Sequence, residues 1–203
     1  MTEFLGTELS GTEFSGANLA NARTGALDRF AGAASALVVT PGDPATRFIF
    51  RGGKAAQAAM GDAFGIALPV QSCRAATGQS RAALWLGPDE WLLTGEDGQA
   101  ETLFAALESA LAGVPHSLVD ISHRNISILL SGPKAAAALN TACPLDLALE
   151  SFPVGMCTRT VFGKAEVLIW RTGDTLFHLE TWRSFGPYIW GLLSLAQREY
   201  GAL

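Results

Sequence analysis

The chain has 203 residues and a net charge of −5, and 49% of its residues are hydrophobic while only 16% are charged. This composition excludes an intrinsically disordered chain, and the length suits one large domain or two small ones. The lysines and arginines are scattered, which argues against nucleic-acid binding, and no apolar run approaches the roughly 18–20 residues of a membrane span. With so few charges, either the core is large or a partner covers part of the surface.

The three cysteines, Cys73, Cys143 and Cys157, are far apart and belong to no CxxC or His/Cys cluster. They are interpreted as reduced core thiols of a cytosolic protein. The acidic start of the sequence has no apolar segment of the kind found in signal peptides. We therefore expect a cytoplasmic location.

The first 22 residues repeat with a period of five. The large apolar residues that recur at this interval are Phe4, Leu9, Phe14 and Leu19. The pattern resembles the pentapeptide-repeat family, which forms a four-sided β-helix, but four repeats supply only about one coil and coils need stacked neighbours. The sequence therefore predicts a flexible or partner-docked tail and linker over residues 1–35, followed by a single domain over residues 36–203.

The first half of this domain alternates strand and helix signals. Short runs rich in β-branched and aromatic residues predict strands, helical apolar spacing predicts helices, and Gly87-Pro88-Asp89 predicts a hairpin turn. In chain order, the predicted elements are strands 36–39 and 47–50, helix 52–64, strands 82–86 and 90–94, and helix 99–113.

The same order then returns in the second half. Its predicted elements are strand 125–132, helix 133–142, strands 158–170 and 175–181, and helix 185–200. A local sequence similarity supports the repeat. The segments "FIFRGGKAAQAAM" and "ILLSGPKAAAALN" can be aligned, and Lys54 and Lys134 then occupy the same position. The sequence thus predicts an α+β fold, in which two pseudo-repeated ferredoxin-like strand–helix–hairpin–helix halves pack as one pseudo-symmetric body.

Polar residues occupy alternate positions of the hairpin predicted at 158–170 and 175–181. A three-residue turn at 172–174 makes Arg171 face Thr175 and leaves one face of the hairpin apolar. The pairs expected on the other face are Trp170 with Leu176, Leu168 with His178 and Glu166 with Glu180, with Lys164 at the end of the row.

The residues Lys164, Glu166, His178 and Glu180 allow two interpretations. They could form a general acid–base site or hold a metal ion. However, no HxH or HxxE spacing supports a metal site, and these residue types are common on strand surfaces. A solvated or partner-covered strand face with ion pairs is therefore the favoured interpretation.

Two shorter motifs also allow a functional and a structural interpretation. "RGGKAA" (51–56) could present amides to an anion at a helix start, but it lacks the GxxxxGK[ST] frame. Asp120, Ser122 and His123 could be members of a catalytic triad, but residues this close in sequence rarely converge in that way, and no GxSxG elbow is present. Both motifs are assigned structural roles.

An aromatic set surrounds the start of the last predicted helix. Its members are Trp170, Trp182, Phe185, Tyr188 and Trp190, with Arg183 among them. Tryptophan, tyrosine and arginine are enriched at protein interfaces, so the set is a candidate subunit interface. A packed corner of the core explains the same residues equally well, and both interpretations stay open.

Several segments resemble the gamma subunit family of heterotetrameric sarcosine oxidase. They are "GPDEWLL" (87–93), "CPLDL" (143–147), "GKAEVLIWR" (163–171) and "WRSF" (182–185). The similarity extends from about residue 80 to the C-terminus and, more weakly, from about residue 30. It implies a fold related to the folate-binding domain of the glycine-cleavage aminomethyltransferase.

The resemblance also implies a function within a complex. Such complexes demethylate sarcosine to glycine with production of hydrogen peroxide and, with tetrahydrofolate, of methylene-tetrahydrofolate. The implied partners are the alpha, beta and delta subunits. FAD, FMN, NAD and tetrahydrofolate are implied on the alpha and beta subunits and zinc on the delta subunit, with no cofactor on this chain.

We therefore expect a non-catalytic assembly subunit of an oxidoreductase complex, and leave open whether the chain is itself an enzyme. The alternative is an independent tetrahydrofolate-binding one-carbon transfer enzyme with Glu166 as its acid or base. The aminomethyltransferase relatives carry a catalytic aspartate near the segment that matches "FGKAEVLIW". The nearest acid in this chain is Glu166, which puts the usual carboxylate in doubt.

Overall fold

The computed structural model describes residues 32–33 and 36–201, and the five-residue period at the N-terminus lies outside the described residues. In chain order, the elements are β1 (Gly32–Ala33), β2 (Val38–Pro41), β3 (Ala45–Gly52), α1 (Lys54–Phe64), β4 (Ala75–Gly78), β5 (Arg81–Gly87), β6 (Glu90–Glu96), α2 (Ala100–Ala110), β7 (His116–Asp120), β8 (Asn125–Ser131), α3 (Ala135–Asn140), β9 (Cys157–Phe162), β10 (Ala165–Gly173), β11 (Leu176–Trp182), a 3-10 turn (Arg183–Phe185) and α4 (Gly186–Gly201).

The strands form two antiparallel sheets with the same internal order. The five-stranded sheet has the order β4-β5-β6-β3-β7, and the six-stranded sheet has the order β9-β10-β11-β8-β2-β1. Strand β3 is thus equivalent to β8, and the hairpin β5–β6 is equivalent to β10–β11. Both hairpins also carry a bulge just before their turn. The predicted strand–helix–hairpin–helix repeat is confirmed.

The two halves exchange one strand each. Strand β2 directly precedes β3 in the chain but pairs with β8 in the other sheet. Strand β7 directly precedes β8 but pairs with β3. Each sheet therefore contains a strand from the segment that leads into the other half, which ties the halves together through backbone hydrogen bonds.

The sheets face each other, and the helices lie on their outer sides. One buried cluster joins the six-stranded sheet to α3 and α4 through residues such as Ile169, Leu139 and Trp190. A second joins the five-stranded sheet to α1 and α2. A smaller cluster, including Leu92 and Leu168, fills the space between the sheets. The result is a layered arrangement of helices, sheet, sheet and helices. None of the described helices is long and apolar enough to cross a membrane.

The β10–β11 hairpin has the predicted faces but not the predicted register. Arg171 lies opposite Phe177 rather than Thr175, a difference of two residues. The cause is the bulge between Arg171 and Gly173, which lengthens β10 and moves the turn along the chain. Because side chains alternate with a period of two, this shift changes the partners and keeps the faces. Trp170 is therefore paired with His178, and Leu168 with Glu180.

Three strand features were not predicted. Strand β4, "AATG", has small residues, and β7, "HSLVD", has polar ends, so neither has a strong strand pattern. The single strand predicted at 158–170 is two strands, β9 and β10, separated by a tight turn at Gly163. Gly163 has φ of 63°, and a Cβ there would lie 2.5 Å from the hydroxyl of Tyr188. Glycine is needed at this turn for its backbone angle and for the close approach of α4.

Candidate functional site

Glu180 is the centre of a polar cluster between the two sheets. Alternation along β11 turns His178 and Glu180 toward the five-stranded sheet, and only 2% of Glu180 is exposed. Its Oε2 accepts a hydrogen bond from Arg47 Nε at 2.8 Å, and its Oε1 lies 2.8 Å from His178 Nε2. Because Arg47 belongs to β3, this ion pair joins the two sheets.

The three guanidinium nitrogens of Arg47 each have an acceptor. Besides the bond to Glu180, Nη2 donates to Ser127 Oγ at 3.1 Å and Nη1 donates to the Ala45 carbonyl at 3.1 Å. A charge can be buried when its hydrogen-bonding groups are satisfied in this way. We call Arg47, Ser127, His178 and Glu180 the inter-sheet ion cluster.

Opposing effects determine the pKa of Glu180. Burial disfavours the carboxylate and by itself raises the pKa, whereas the charge of Arg47 and the hydrogen bond and charge of His178 lower it. The net result is a pKa below the ordinary value for glutamate. Glu180 is therefore a carboxylate held ionised by two structural partners at neutral pH.

The other two members of the predicted polar set lie apart from Glu180. Lys164 is exposed in the β9–β10 turn, where its backbone N–H donates to Tyr188 Oη at 3.2 Å. Glu166 is exposed on β10 and is not paired with Glu180. A solvated or partner-covered strand face thus stays a prediction for the exposed Glu166, whereas the five-stranded sheet covers Glu180.

The structure also bears on two other arrangements that the sequence raised, a metal site and a catalytic triad. Among the residues that the structure describes, no group of three or more His, Cys, Asp or Glu side chains could hold a metal ion. Asp120 Oδ1 accepts hydrogen bonds from the Ser122 N–H at 2.8 Å and from the Ser122 hydroxyl at 2.6 Å, while His123 is exposed. The Ser122 Oγ also accepts from the Arg47 N–H at 2.9 Å. These contacts stabilise the turn between β7 and β8, which is the structural role that was predicted.

Sequence analysis missed Arg47, on which the inter-sheet ion cluster depends. The signal was present, because Arg47 begins the apolar run "RFIF" and a charge in such a strand needs a buried partner. Nothing in the sequence links it to Glu180, which lies 133 positions further along the chain.

The candidate interface residues divide between interior and surface. Trp190 is 3% exposed and belongs to the core beneath α4, so the interface interpretation is wrong for this residue. Trp170 is half-buried between the sheets, with its ring centroid 5.7 Å from that of His178. In contrast, Trp182 and Tyr188 are 44% and 41% exposed.

A surface cluster surrounds Trp182. Its ring stacks on Phe185 with centroids 5.8 Å apart, and the guanidinium of Arg124 lies 5.5 Å from its centroid. The Arg183 N–H donates to the Arg124 carbonyl at 2.8 Å, which fastens the 3-10 turn to the β7–β8 connection. We call Trp182, Phe185, Arg124 and Arg183 the aromatic face. Arg124 was not predicted, since it lies almost sixty positions before Trp182 in the sequence.

A small cleft of about 40 Å³ opens beside the aromatic face, between the two sheets. Arg124, Asn125 and Trp182 line one wall, and Arg159 and Glu166 are among the residues on the β9–β10 side. The apolar lining residues are Ile49, Leu86, Leu92, Val167 and Leu168. Arg159 is paired with Glu90 of the opposite sheet. The lining also includes Glu180 and Thr181, so the cleft combines apolar, charged and aromatic residues.

Comparisons with known proteins agree on one family. The model described as "Sarcosine oxidase, gamma subunit family" matches residues 51–199. Sarcosine oxidase subunit gamma of Arthrobacter sp. is 37% identical over 63% of this chain and 62% of its own length. The corresponding subunit of Corynebacterium sp. (strain U-96) is 35% identical over 74% of this chain and 73% of its own length. The matched region therefore covers less than two thirds of the length of the Arthrobacter subunit and more than two thirds of the length of the Corynebacterium subunit.

Solved structures give the same result. A chain of heterotetrameric sarcosine oxidase from Corynebacterium sp. U-96, in complex with pyrrole 2-carboxylate, matches with a TM-score of 0.78 and 32% identity. The match covers 92% of this chain and 95% of that one. Aminomethyltransferase T of the Bartonella henselae glycine cleavage system matches with a TM-score of 0.63 and 16% identity, over 81% of this chain and 50% of that one. The match to aminomethyltransferase T shows a shared fold alone, and it confirms the predicted relationship in fold.

Proposed function

The chain belongs to the sarcosine oxidase gamma subunit family, and we propose that it is a non-catalytic assembly subunit of a heterotetrameric sarcosine oxidase. The observation that carries this proposal is the aromatic face, where the exposed Trp182 and its stacked neighbour Phe185 lie next to two arginines. Tryptophan and arginine are the residue types that most often dominate binding energy at protein interfaces. The buried polar residues support the same proposal, because Glu180 and His178 are engaged in holding the sheets together.

The proposal assigns the chemistry to partner subunits. The complex would oxidatively demethylate sarcosine to glycine, with alpha, beta and delta subunits carrying FAD, FMN, NAD, tetrahydrofolate and zinc, in the cytoplasm. This chain would contribute a rigid docking surface. Rigidity is supported by the exchanged strands β2 and β7, which tie the two halves together, and a single domain over residues 36–203 is part of the proposal. Residues 1–35 are proposed as a tail and linker whose last part, β1, pairs with β2.

The proposal is tested by capture of the tagged full chain from its native cells. We expect a yellow eluate that contains large flavoprotein subunits and a small zinc-binding chain, identified by absorbance and mass. Trp182→Ala should weaken this association by about tenfold or more, which corresponds to ~1–2 kcal/mol for a truncated anchor. Leu195→Ala is the matched control, since Leu195 is a large apolar residue that is 55% exposed on α4. A colourless chain that elutes alone would refute the proposal.

One observation favours a second function, a tetrahydrofolate-binding one-carbon transfer enzyme. The cleft brings the exposed carboxylate Glu166 next to apolar lining residues such as Val167 and Leu168. In this case Glu166 would act as the acid or base. Titration of the purified chain with tetrahydrofolate tests the idea, with Glu166→Gln as the comparison. Absence of binding at millimolar ligand would dispose of it.

A further inference from the structure

The aromatic face carries two positive charges that no carboxylate neutralises within the described residues. Arg47, Arg51 and Arg159 each lie within 4 Å of an acidic side chain. Arg124 instead donates from Nε to Asn125 Oδ1 at 3.2 Å, and Arg183 donates from Nε to the His123 carbonyl at 3.2 Å. These two arginines lie beside an exposed tryptophan on a chain whose net charge is −5.

These two arginines restrict the kind of partner that can cover the face. Covering Trp182 removes the neighbouring guanidinium groups from water, and a charge that is buried without a partner costs far more than one that is paired. Neutral acceptors already present, such as the His123 carbonyl, do not neutralise the charge. A carboxylate does so with the planar, two-point geometry that guanidinium groups favour.

We propose that the aromatic face binds a partner-subunit segment that places at least one Asp or Glu carboxylate against Arg124 and Arg183, with an apolar side chain packed on Trp182 and Phe185. This inference rests on the proposed function and adds the chemistry of the partner. The cleft adjoins the proposed contact, because Arg124 and Trp182 are among its lining residues. Glu166 and Glu180 also line the cleft and would repel a carboxylate, which favours its placement against Arg124 and Arg183.

The first test reverses the charge in the full chain and measures its association with the co-purified subunits. Arg124→Glu and Arg183→Glu should each weaken association by about tenfold or more, and Arg124→Lys by less. Arg198→Glu is the matched control, since Arg198 is an exposed arginine in the last turn of α4, and it should have no effect. Raising the salt concentration should weaken association of the wild type more than that of Arg124→Glu.

A second test identifies the partner group directly. Arg124→Lys introduces an amine that a zero-length carbodiimide joins to a nearby carboxylate, and mass spectrometry of the cross-linked complex then locates the attached residue. We expect an Asp or Glu of a partner subunit, and no such cross-link from Arg198→Lys. If both charge reversals assemble like the wild type while Trp182→Ala does not, the acidic partner is refuted and the assembly role survives. If the wild-type chain binds no flavoprotein subunit at all, both proposals fail.

Discussion

Arg47 and Ser127 occupy equivalent positions in the two halves of the fold and hydrogen-bond to each other, Nη2 to Oγ, at 3.1 Å. The equivalence follows from the strand pairing. Arg47 of β3 lies opposite Thr94 of β6, and Ser127 of β8 lies opposite Glu180 of β11. Strands β3 and β6 of one sheet correspond to β8 and β11 of the other. The halves therefore meet at matching positions that carry different chemistry. One half supplies the cation of the buried pair, and the other supplies the anion.

The first prediction concerns the cost of breaking this pair. Arg47→Met leaves Glu180 as a buried carboxylate without its main partner, and we expect the free energy of unfolding to fall by about 3–5 kcal/mol. Arg47→Met combined with Glu180→Met should cost less than the sum of the two single changes, because no unpaired charge remains. Urea unfolding followed by tryptophan fluorescence measures all three variants. Additive costs would show that the two side chains do not interact energetically.

The second prediction concerns acid. The pKa of Glu180 is lower in the folded chain than in the unfolded chain. Burial raises this pKa, but the charges and hydrogen bonds of Arg47 and His178 together outweigh the effect of burial. Its contribution to stability is therefore complete above the unfolded value of about 4.3 and is lost as the pH falls through the lower folded value. We expect the wild type to lose more unfolding free energy than Glu180→Gln between pH 6 and pH 3. Equal losses in the two proteins would contradict this assignment.

The sequence was sufficient for those parts of the fold that depend on local pattern. The repeat was readable because strands β3 and β8 and the two hairpins contain short apolar runs rich in β-branched and aromatic residues, and because the hairpins have turn residues. The hairpin register was not, because a bulge between Arg171 and Gly173 changes the pairing without changing the alternation. A bulge of this kind leaves no clear trace in a single sequence.

Long-range contacts explain what sequence reasoning missed at the candidate site. Glu180, with its neighbour His178, was singled out, but its main partner Arg47 comes from the other half of the chain. On the surface, Trp182 was predicted and Arg124, which lies against its ring, was not. Arg47 and Glu180 meet through the packing of one half on the other. Arg124 and Trp182 meet because Asn125, next to Arg124, pairs with Trp182 in the six-stranded sheet.

The third prediction concerns the β9–β10 turn. Gly163 and Gly155 both have positive φ, 63° and 83°, but only a Cβ on Gly163 would collide with a neighbour, the hydroxyl of Tyr188. Gly155→Ala should cost about 1–2 kcal/mol for its backbone angle. Gly163→Ala should cost a further ~1 kcal/mol, because the ends of the Tyr188 and Leu192 side chains must shift.

Thermal and urea unfolding of the two variants give the difference directly. Adding Tyr188→Phe to Gly163→Ala removes the colliding oxygen and should recover part of the loss. If the two glycine variants are equally destabilised, the close approach of α4 to the turn does not contribute to stability.

The last prediction concerns the three cysteines, which are free thiols in the structure. Burial raises the pKa of Cys157 to about 12, with a smaller contribution from nearby Cys73, and its Sγ donates a weak hydrogen bond to the Trp85 carbonyl at 3.7 Å. Cys143 is also buried, whereas Cys73 is half-buried. Since the thiolate is the reactive form and needs access to reagent, only Cys73 should react quickly with iodoacetamide at pH 8. Peptide mass spectrometry should place the first label there, Cys73→Ser should abolish the fast phase, and urea should expose the other two. Rapid labelling of Cys157 in the native chain would mean that the space between the sheets opens far more readily than the buried ion pair implies.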